Sequence, residues 1–454
     1  MSFTAFLWAV LYGSAAMGSL ANPLFGAIGY LIEYYMRPQL KWWGHDVPNL
    51  RYNLLISMVL GATFLMRRES LRPMIKSKIV ALRWMIGLAA IIVIVTYTTA
   101  LIPKLSWYWG VRWIEVAIIF PMLIVGVVRT RWGLDLFIAA HMLGAFWWGY
   151  DAWENPKRQS GRLLWVGSGD SLNDNAASAH LLSVLPFIVM CLLTGKDKRL
   201  RTIAFIAAPF VVNTLVLCNS RGAMVAIGAG AVAAVFLIRS GYRLRVIVAG
   251  VALAAGILSM ADQTFINRQE TTTKYETDGS AMQRIETWRA AYKLVKDYPF
   301  GAGGRGFHAL SPRYIPDIVD AHDGEWRAPH NTFVMVACEW GILGLLCYAG
   351  INVSTLLMLE RLKRRVKALG NGANYYYWRA IALQVAVISG LTAAVFTDRL
   401  YGEAGYWMIG LAYALNRIQL TDAAEESKEA VPAPAAAVIP TIARWPTLAG
   451  AHHR

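Results

Sequence analysis

The chain contains many apolar runs of roughly 17 to 22 residues that are separated by polar segments. A helix of about 20 apolar residues crosses the hydrocarbon core of a bilayer, whereas a water-soluble globule cannot cover so many such runs. The mean hydropathy of +0.41 and the 56% of hydrophobic residues agree with this. The sequence therefore predicts an all-α polytopic membrane protein.

We predict about twelve transmembrane helices. Eleven apolar segments lie near residues 51–66, 79–99, 112–128, 132–149, 177–194, 202–217, 222–238, 244–260, 331–356, 376–397 and 402–416. Asn22-Pro23 interrupts the stretch 3–36, which fits one span plus an interfacial helix or two short spans; we favour one. Its start lacks a basic leading region and a small-residue cleavage site, so we expect it to remain as an anchor.

Basic clusters predict the orientation of the chain. They fall at residues 67–78, 129–131, 196–201, 239–245 and 361–367, between apolar segments. Lys and Arg concentrate on the cytoplasmic side of membrane proteins, so the net charge of +16 reports orientation rather than nucleic-acid binding. Twelve spans then place both termini in the cytoplasm and residues 261–330 outside.

The predicted domains follow from this plan. Residues 1–260 carry about nine spans, 261–330 form one large outer loop with amphipathic helices, and 331–417 carry three more spans. The Ala/Pro-rich residues 418–454 have little to bury and are predicted to form a disordered cytoplasmic tail. The long loop and a second polar stretch at 150–176 exceed what a connection needs, which indicates a site.

Arg221 is the first candidate for anion binding. It follows Ser220, a residue suited to cap the next helix, in a very short outer turn. A helix N-terminus carries unpaired N–H groups and partial positive charge, so an arginine there favours a phosphate. The alternative is an interfacial arginine that contacts lipid phosphates.

The outer loop carries a predicted amphipathic helix. Its apolar residues Met282, Ile285, Trp288, Tyr292 and Val295 follow helical spacing, and basic residues are interleaved at Arg284, Arg289, Lys293 and Lys296. We expect this helix to lie on the membrane and cover the spans.

The glycine run 301–306 matches the dinucleotide-binding pattern but lacks the strand–helix context that gives the pattern meaning. A dinucleotide fold is therefore rejected. The run is either a hinge or, with Arg305, a set of N–H groups for a phosphate. His308 follows closely and is a further candidate.

His330 is the candidate general base. It lies between Pro329, a residue favoured at the first helical position, and Asn331, which opens an apolar run. The helix N-terminus disfavours the protonated ring, and a neutral imidazole can accept a proton from an alcohol. The alternative is a capping histidine bonded to the backbone. Glu339 lies two turns deeper and needs a basic or hydroxyl partner.

Neither a metal nor a disulfide is predicted. The four cysteines, all in or beside apolar runs, have no CxxC pair or nearby histidine partner. The spacing of Asp317, Asp320, His322 and Asp323 fits no ligand pattern, and arginines can neutralise phosphates without a metal.

Three stretches resemble the O-antigen ligase and polymerase superfamily: NSRGA at 219–223, MQRIETWRAAYKLVKDYPFGAGGRGF at 282–307, and APHNTFVMVACEWGILGLLCY at 328–348. The resemblance covers residues 170–350 by motif and nearly all of the chain by span layout. It implies a metal-independent, cofactor-free glycosyltransferase in the bacterial inner membrane whose active site faces the periplasm.

The resemblance also implies the roles of residues. Arg221 and Arg284 would hold the pyrophosphate of an undecaprenyl-linked glycan, and His330 would activate the acceptor hydroxyl, with Arg305, Arg289, Asn331 and His308 as further candidates for pyrophosphate binding. The acceptor expected first is the lipid A-core. A polymerase or a protein O-oligosaccharyltransferase of the same superfamily stays open, as does a transporter of polyprenyl-linked glycans.

Overall fold

The computed structural model describes residues 1–67, 78–159, 161–164, 166–194, 197–270, 279–368 and 374–429. Residues 1–418 form one compact unit; a second unit begins at Gln419. Eight helices in the described part are long and apolar enough to cross a membrane. The predicted all-α polytopic class is thereby confirmed.

The helices before the large loop are α1 Phe3–Ala21, α2 Pro23–Met36, α3 Tyr52–Met66, α4 Val80–Thr98, α5 Pro103–Val127, α6 Arg131–Glu154, α7 Asp174–Thr194, α8 Lys198–Cys218, α9 Arg221–Leu237 and α10 Arg243–Met260. Strands β1 Arg158–Gln159 and β2 Arg162–Leu163 pair antiparallel between α6 and α7. The loop carries α11 Gln263–Glu270, α12 Gly279–Asp297, α13 Gly306–Tyr314 and α14 Pro316–Asp320. The last helices are α15 Thr332–Ala368, α16 Asn374–Ala394 and α17 Glu403–Glu429.

The first apolar stretch forms a helical hairpin. Asn22 ends α1 and caps α2, its side chain accepting from the backbone N–H of Leu24, and Pro23 occupies the first position of α2. A Cβ on Gly26 would lie 2.6 Å from Ser19 Oγ, and one on Gly29 would lie 3.1 Å from the Ala15 Cβ. Glycines therefore allow α1 and α2 to pack closely and antiparallel.

Capping by Asn22 and the missing N–H of Pro23 start the second helix. Of the two helices, α1 is among the eight that are long and apolar enough to cross a membrane, and α2 has 14 residues. One span plus an interfacial helix, with both termini in the cytoplasm, therefore stays a prediction. The first residues contact Asp46, whose carboxylate accepts from the backbone N–H of Ser2 at 2.7 Å. The predicted tail boundary at 418 falls inside a helix, because α17 continues to Glu429. Residues 430–454 lie outside the described residues.

Basic residues of the described part meet at one end of the helical bundle, whereas residues 68–77 of the first basic cluster lie outside the described residues. Arg131 Nε donates to the Tyr376 hydroxyl at 3.0 Å, which joins the α5–α6 junction to the start of α16. Lys363 Nζ donates to the Leu237 carbonyl at 3.2 Å, which joins the end of α15 to the end of α9. We call this the basic end. The opposite end, which we call the loop end, carries the described parts of 155–173 and 261–331 together with 219–220 and 395–402.

A break in α15 receives the glycine run. Gly341 has a φ of +70°, which interrupts the helix, and the segment 299–304 packs into the interruption. Ala302 N–H donates to the Cys338 carbonyl at 2.9 Å, and Gly303 N–H donates to the Glu339 carbonyl at 3.0 Å. The run is thus fixed against a membrane helix.

Gly341→Ala is expected to lower stability. Its Cβ would lie 2.6 Å from the Phe300 carbonyl carbon at a positive φ, a strain of about 1–3 kcal/mol. The thermal unfolding midpoint of the purified protein in detergent should fall. Gly61→Ala is the matched control, because Gly61 is helical and a Cβ there meets nothing within 4 Å. Equal midpoints for the two variants would contradict the packing described above.

The loop helices enclose their own small core. The buried face of α12 consists of Ala290, Ala291 and Leu294, which pack with Phe307, Ile318, Val319 and Cys338. The predicted apolar face of α12 is therefore partly wrong, because Met282 and Tyr292 are exposed. The small side chains of Ala290 and Ala291, on the neighbouring face, let α12 pack closely on α13 and α15. Trp288 is half-buried, and its Nε1 donates to the Pro329 carbonyl at 2.9 Å.

Candidate functional site

His330 lies just outside helix α15. Asn331 caps that helix, its side-chain oxygen accepting from Phe333 N–H at 3.0 Å and Val334 N–H at 3.2 Å. The predicted position of Pro329 at the first helical residue is therefore wrong, because Asn331 takes the capping role two residues later. His330 itself adopts a left-handed conformation, with φ of 47°. Its side chain is 45% exposed.

Asp398 holds the segment that carries His330. Its Oδ1 accepts from Asn331 N–H at 3.2 Å, and its Oδ2 lies 3.8 Å from His330 Nδ1. The latter distance is too long for a direct hydrogen bond. Thr332 reinforces the contact by donating to the Thr397 carbonyl at 2.8 Å. With Nδ1 facing a carboxylate, the opposite nitrogen, Nε2, is the one available to accept a proton.

Arg284 lies within electrostatic range of both His330 and Asp398. Partial burial, Arg284 and Arg327 lower the pKa of His330 to about 4. Burial raises the pKa of Asp398 to about 6, although Arg305 and Arg284 oppose that shift. Arg284 and Trp288 are one turn apart on α12, and Trp288 is bonded to the residue before His330. The structure thereby places Arg284, which the resemblance assigns to the pyrophosphate, near His330, which it assigns to the acceptor hydroxyl.

The neutral His330 predicted from the sequence has another physical origin. The sequence predicts a neutral ring because His330 would lie in the field of a helix N-terminus. Instead, burial and two neighbouring guanidinium groups lower the pKa of His330, so the ring is neutral throughout the physiological range.

Chemical labelling should reveal this lowered pKa. Diethyl pyrocarbonate reacts with neutral imidazole, so labelling of His330 should fall only as the pH drops through about 4. Arg327→Ala removes a positive charge, so the pKa of His330 should rise and the labelling midpoint should move to higher pH. Mass spectrometry of the His330 peptide measures the midpoint, with Arg313→Ala as an exposed control. A midpoint unchanged by Arg327→Ala would exclude this electrostatic cause.

Arg305 and His308 form a second cationic group beside this one. Arg305 Nη1 donates to His308 Nε2 at 2.6 Å, and the guanidinium lies 4.0 Å from the ring centroid of Trp109. Burial, Arg305 and His330 lower the pKa of His308 to about 3, so this ring is also neutral. Its Nδ1 is buried without a hydrogen-bond partner among the described residues. His308 therefore lies close to His330 and has an unused polar atom.

The glycine run before Arg305 does not offer its amides to a phosphate. Gly301 N–H donates to the Tyr298 carbonyl at 2.9 Å, and Gly304 N–H donates to Ser106 Oγ at 3.1 Å. Together with the bonds of Ala302 and Gly303 to α15, these contacts use the amides within the protein. Neither proposed role of the run, a hinge or a phosphate loop, agrees with this packing.

A cavity of about 2050 Å³, partly open to solvent, lies beside these residues. It is lined by basic residues, carboxylates and rings: Arg37, Lys104, Arg112, Arg305, Arg399, Glu115, Asp170, Asp398, Glu403, Tyr34, Trp107, Tyr108, Trp109 and Tyr401. Arg305 and Asp398 line the cavity; Asp398 also lies beside His330, and Arg305 is hydrogen-bonded to His308. The cavity was missed in the sequence, although the charged pair Asp398-Arg399 in the short turn between α16 and α17 resembles the signal that identified Arg221.

Ion pairs fix the far wall of the cavity. Arg112 Nη2 lies 2.6 Å from Glu403 Oε1, and Arg399 Nη2 lies 3.6 Å from Asp170 Oδ1. The Tyr34 hydroxyl donates to Asp170 at 2.5 Å. Burial alone would raise the pKa of Asp170. The charge of Arg399 and the hydrogen bonds that Asp170 accepts outweigh burial, so the net pKa is lowered and the carboxylate stays charged.

Arg221 lies at the same end of the bundle as His330. It begins α9, and Ser220 caps that helix as predicted, its hydroxyl accepting from Ala223 N–H at 3.4 Å. A Cβ on Gly222 would lie 2.6 Å from the Phe396 Cβ, so this helix start packs against the turn that carries Asp398. Arg221 is not among the residues that line the large cavity.

Other predicted residues have different environments. The Tyr401 hydroxyl donates to Glu339 Oε2 at 2.5 Å, which confirms the expected hydroxyl partner. Arg289 is exposed on α12. His322 Nδ1 lies 2.7 Å from the Ile318 carbonyl oxygen. Across the described ranges, no three His, Cys, Asp or Glu side chains are grouped as metal ligands would be.

The family comparison agrees with the geometry. The O-antigen ligase family model matches residues 206–349, which include Arg221, Arg284, Arg305, His308 and His330. The predicted resemblance to this superfamily of membrane glycosyltransferases is thereby confirmed. No curated protein matches the chain.

Proposed function

We propose, from the O-antigen ligase match over residues 206–349, that the protein transfers a glycan from undecaprenyl pyrophosphate to a hydroxyl group at the membrane surface. The observation that carries this proposal is the grouping of a neutral His330, Asp398, Arg284 and Arg305 beside a large cavity lined by several charged residues. This set offers a proton acceptor, its orienting carboxylate and cations for a diphosphate.

The proposed reaction is a single displacement. His330 Nε2 accepts the proton of the acceptor hydroxyl while its oxygen attacks the anomeric carbon. The bond between that carbon and the pyrophosphate oxygen breaks, and undecaprenyl pyrophosphate leaves with the electron pair. The configuration at the anomeric carbon inverts. The proton then passes from His330 to water.

The arginines stabilise the leaving group. Negative charge develops on the pyrophosphate as the bond breaks, and guanidinium groups bind phosphate oxygens through charge-assisted hydrogen bonds. Arg284 acts beside His330, and Arg221, at the start of α9, extends the cationic surface toward the turn at Phe396. The two phosphates need no metal in this arrangement.

The cavity gives space for sugars. Trp107, Tyr108 and Trp109 lie on α5 at its rim, and Asp170 and Glu403 provide acceptors on the far wall. Aromatic faces beside carboxylates suit the apolar faces and hydroxyl groups of a saccharide. We therefore infer that the glycan part of a substrate occupies this cavity.

The sidedness of the reaction follows from charge. Lys and Arg mark the cytoplasmic side, so the basic end faces the cytoplasm and the loop end faces the periplasm of a bacterial inner membrane. The proposed acceptor is a sugar hydroxyl of the lipid A-core. A growing polysaccharide or a protein serine or threonine uses the same chemistry with another acceptor.

Product analysis tests the proposal. Detergent-solubilised protein is incubated with undecaprenyl-linked glycan and lipid A-core, and mass spectrometry identifies the products. A new glycosidic bond to the core is expected. Extended lipid-linked glycan would identify a polymerase, and glycosylated protein an oligosaccharyltransferase. Absence of any new bond, with transport of the donor in vesicles, would reject the enzyme in favour of a transporter.

A further inference from the structure

Two adjoining cavities lie away from the catalytic group, toward the basic end. One is a partly open space of about 730 Å³ between α7, α9, α10 and α16; it is almost entirely apolar, with walls that include Leu185, Ile227, Ala231, Gly250, Leu253 and Val385. The other is a partly open space of about 1630 Å³ whose lining includes six charged residues, and we call it the polar cavity. Met190, Leu193 and Trp378 line both cavities, so they share a wall.

The polar cavity is cationic. Four of its six charged residues are basic: Lys198, Arg199, Arg245 and Arg379. Its two carboxylates already have partners within the protein. Asp135 Oδ1 lies 2.6 Å from Arg379 Nη2, and Asp197 caps α8 by accepting from Arg199 N–H at 2.9 Å and Leu200 N–H at 3.2 Å. The exposed side chains of Lys198, Arg199 and Arg245 therefore set the charge at the mouth.

The apolar cavity opens along a loosely packed helix. Helix α10 buries only Ile257 among its described side chains and exposes large residues such as Val248 and Val251. An ideal Cβ on Gly250, which lines the cavity, meets nothing within 4 Å. The structure therefore leaves space for a chain-like apolar group beside α10.

We propose that these adjoining cavities bind an anionic glycerophospholipid, with its phosphate among Lys198, Arg199 and Arg245 and an acyl chain in the apolar cavity. Charge complementarity favours an anionic headgroup over a zwitterionic one. The location favours a lipid of the cytoplasmic leaflet, which is rich in anionic phospholipids, because the cavities adjoin the basic end. Basic pockets between membrane helices on this side are suited to such headgroups.

Lipid titration of the full-length protein tests the class of ligand. The protein is purified in detergent and titrated with phosphatidylglycerol or phosphatidylcholine of identical chains, and native mass spectrometry counts the bound lipids. We expect saturable binding of phosphatidylglycerol at least about five-fold tighter than that of phosphatidylcholine. Equal affinities, or no saturable binding, would overturn the proposal. Tighter binding of undecaprenyl phosphate than of phosphatidylglycerol would overturn the assigned occupant.

Matched variants locate the lipid. Arg245→Ala should weaken phosphatidylglycerol binding about five-fold, whereas Arg243→Ala, two residues earlier on α10 and outside the cavity lining, should not. Gly250→Phe should fill the apolar cavity and abolish saturable binding, whereas Gly256→Phe, also in open space, should leave it unchanged. Equal effects within either pair would place the lipid elsewhere. If Gly250→Phe does not fold, the arginine pair and the lipid selectivity decide.

Discussion

His330→Ala is expected to lower the rate of glycan transfer by about 100- to 10,000-fold, the usual contribution of a general base. The neutral ring of His330, held beside Asp398 and outside the first turn of α15, is the proposed proton acceptor. Alanine removes the acceptor and leaves the segment fixed, because Asn331 still caps the helix and still donates to Asp398. Single-turnover rates with saturating donor and acceptor measure the effect.

Two controls separate chemistry from folding. His322→Ala removes another imidazole of the same loop, which contacts only the Ile318 carbonyl in the described hydrogen bonds, and should keep nearly full activity. The thermal unfolding midpoint of His330→Ala should stay close to that of the unchanged protein. An undiminished transfer rate in His330→Ala would eliminate His330 as the base, while leaving the cavity and the arginines as a binding site.

Arg284→Ala is expected to lower the transfer rate by about 100- to 1000-fold, the usual cost of losing one donor to a developing negative charge. Arg284 is proposed to bind the pyrophosphate next to His330, and its charge acts on both His330 and Asp398. Because the charge on the leaving group grows during bond cleavage, the loss should appear mainly in kcat. Arg284→Lys should recover part of the rate through its charge.

The control for this arginine lies on the same helix. Lys293 is exposed on α12, and Lys293→Ala should change the rate little. Loss of Arg284 also removes a cation near His330, so the pKa of His330 should rise in Arg284→Ala. If the labelling midpoint of His330 rises while transfer continues at the full rate, Arg284 is a neighbour of the base and has no part in pyrophosphate binding.

Much of the fold could be predicted because its elements are local. Long apolar runs must form helices in lipid, and Ser220 marks the start of α9 by its own hydrogen bond. The hairpin at Asn22-Pro23 was harder to predict because the apolar character continues across the turn, so only the cap and the proline indicate it.

The site could be predicted only in part. Helix-terminus arguments identified Arg221 and His330, and the resemblance supplied Arg284. Asp398 was missed because its role depends on a contact across 67 residues of sequence, between its carboxylate and Asn331 N–H. The ion pair between Arg112 and Glu403 spans 291 residues, and no local pattern signals such a partner. The lowered pKa of His330 likewise depends on side chains from other segments.

Because residues 299–304 pack into the break of α15, the two segments cannot be replaced independently in chimaeric proteins. If this loop were transplanted into a protein without an interruption equivalent to Gly341, it would bring Arg305 and His308, but its backbone would meet an unbroken helix. Functional chimaeras should therefore require segments 299–304 and 338–342 from the same parent. Residues 299–304 and the interrupted part of α15 should therefore be exchanged together.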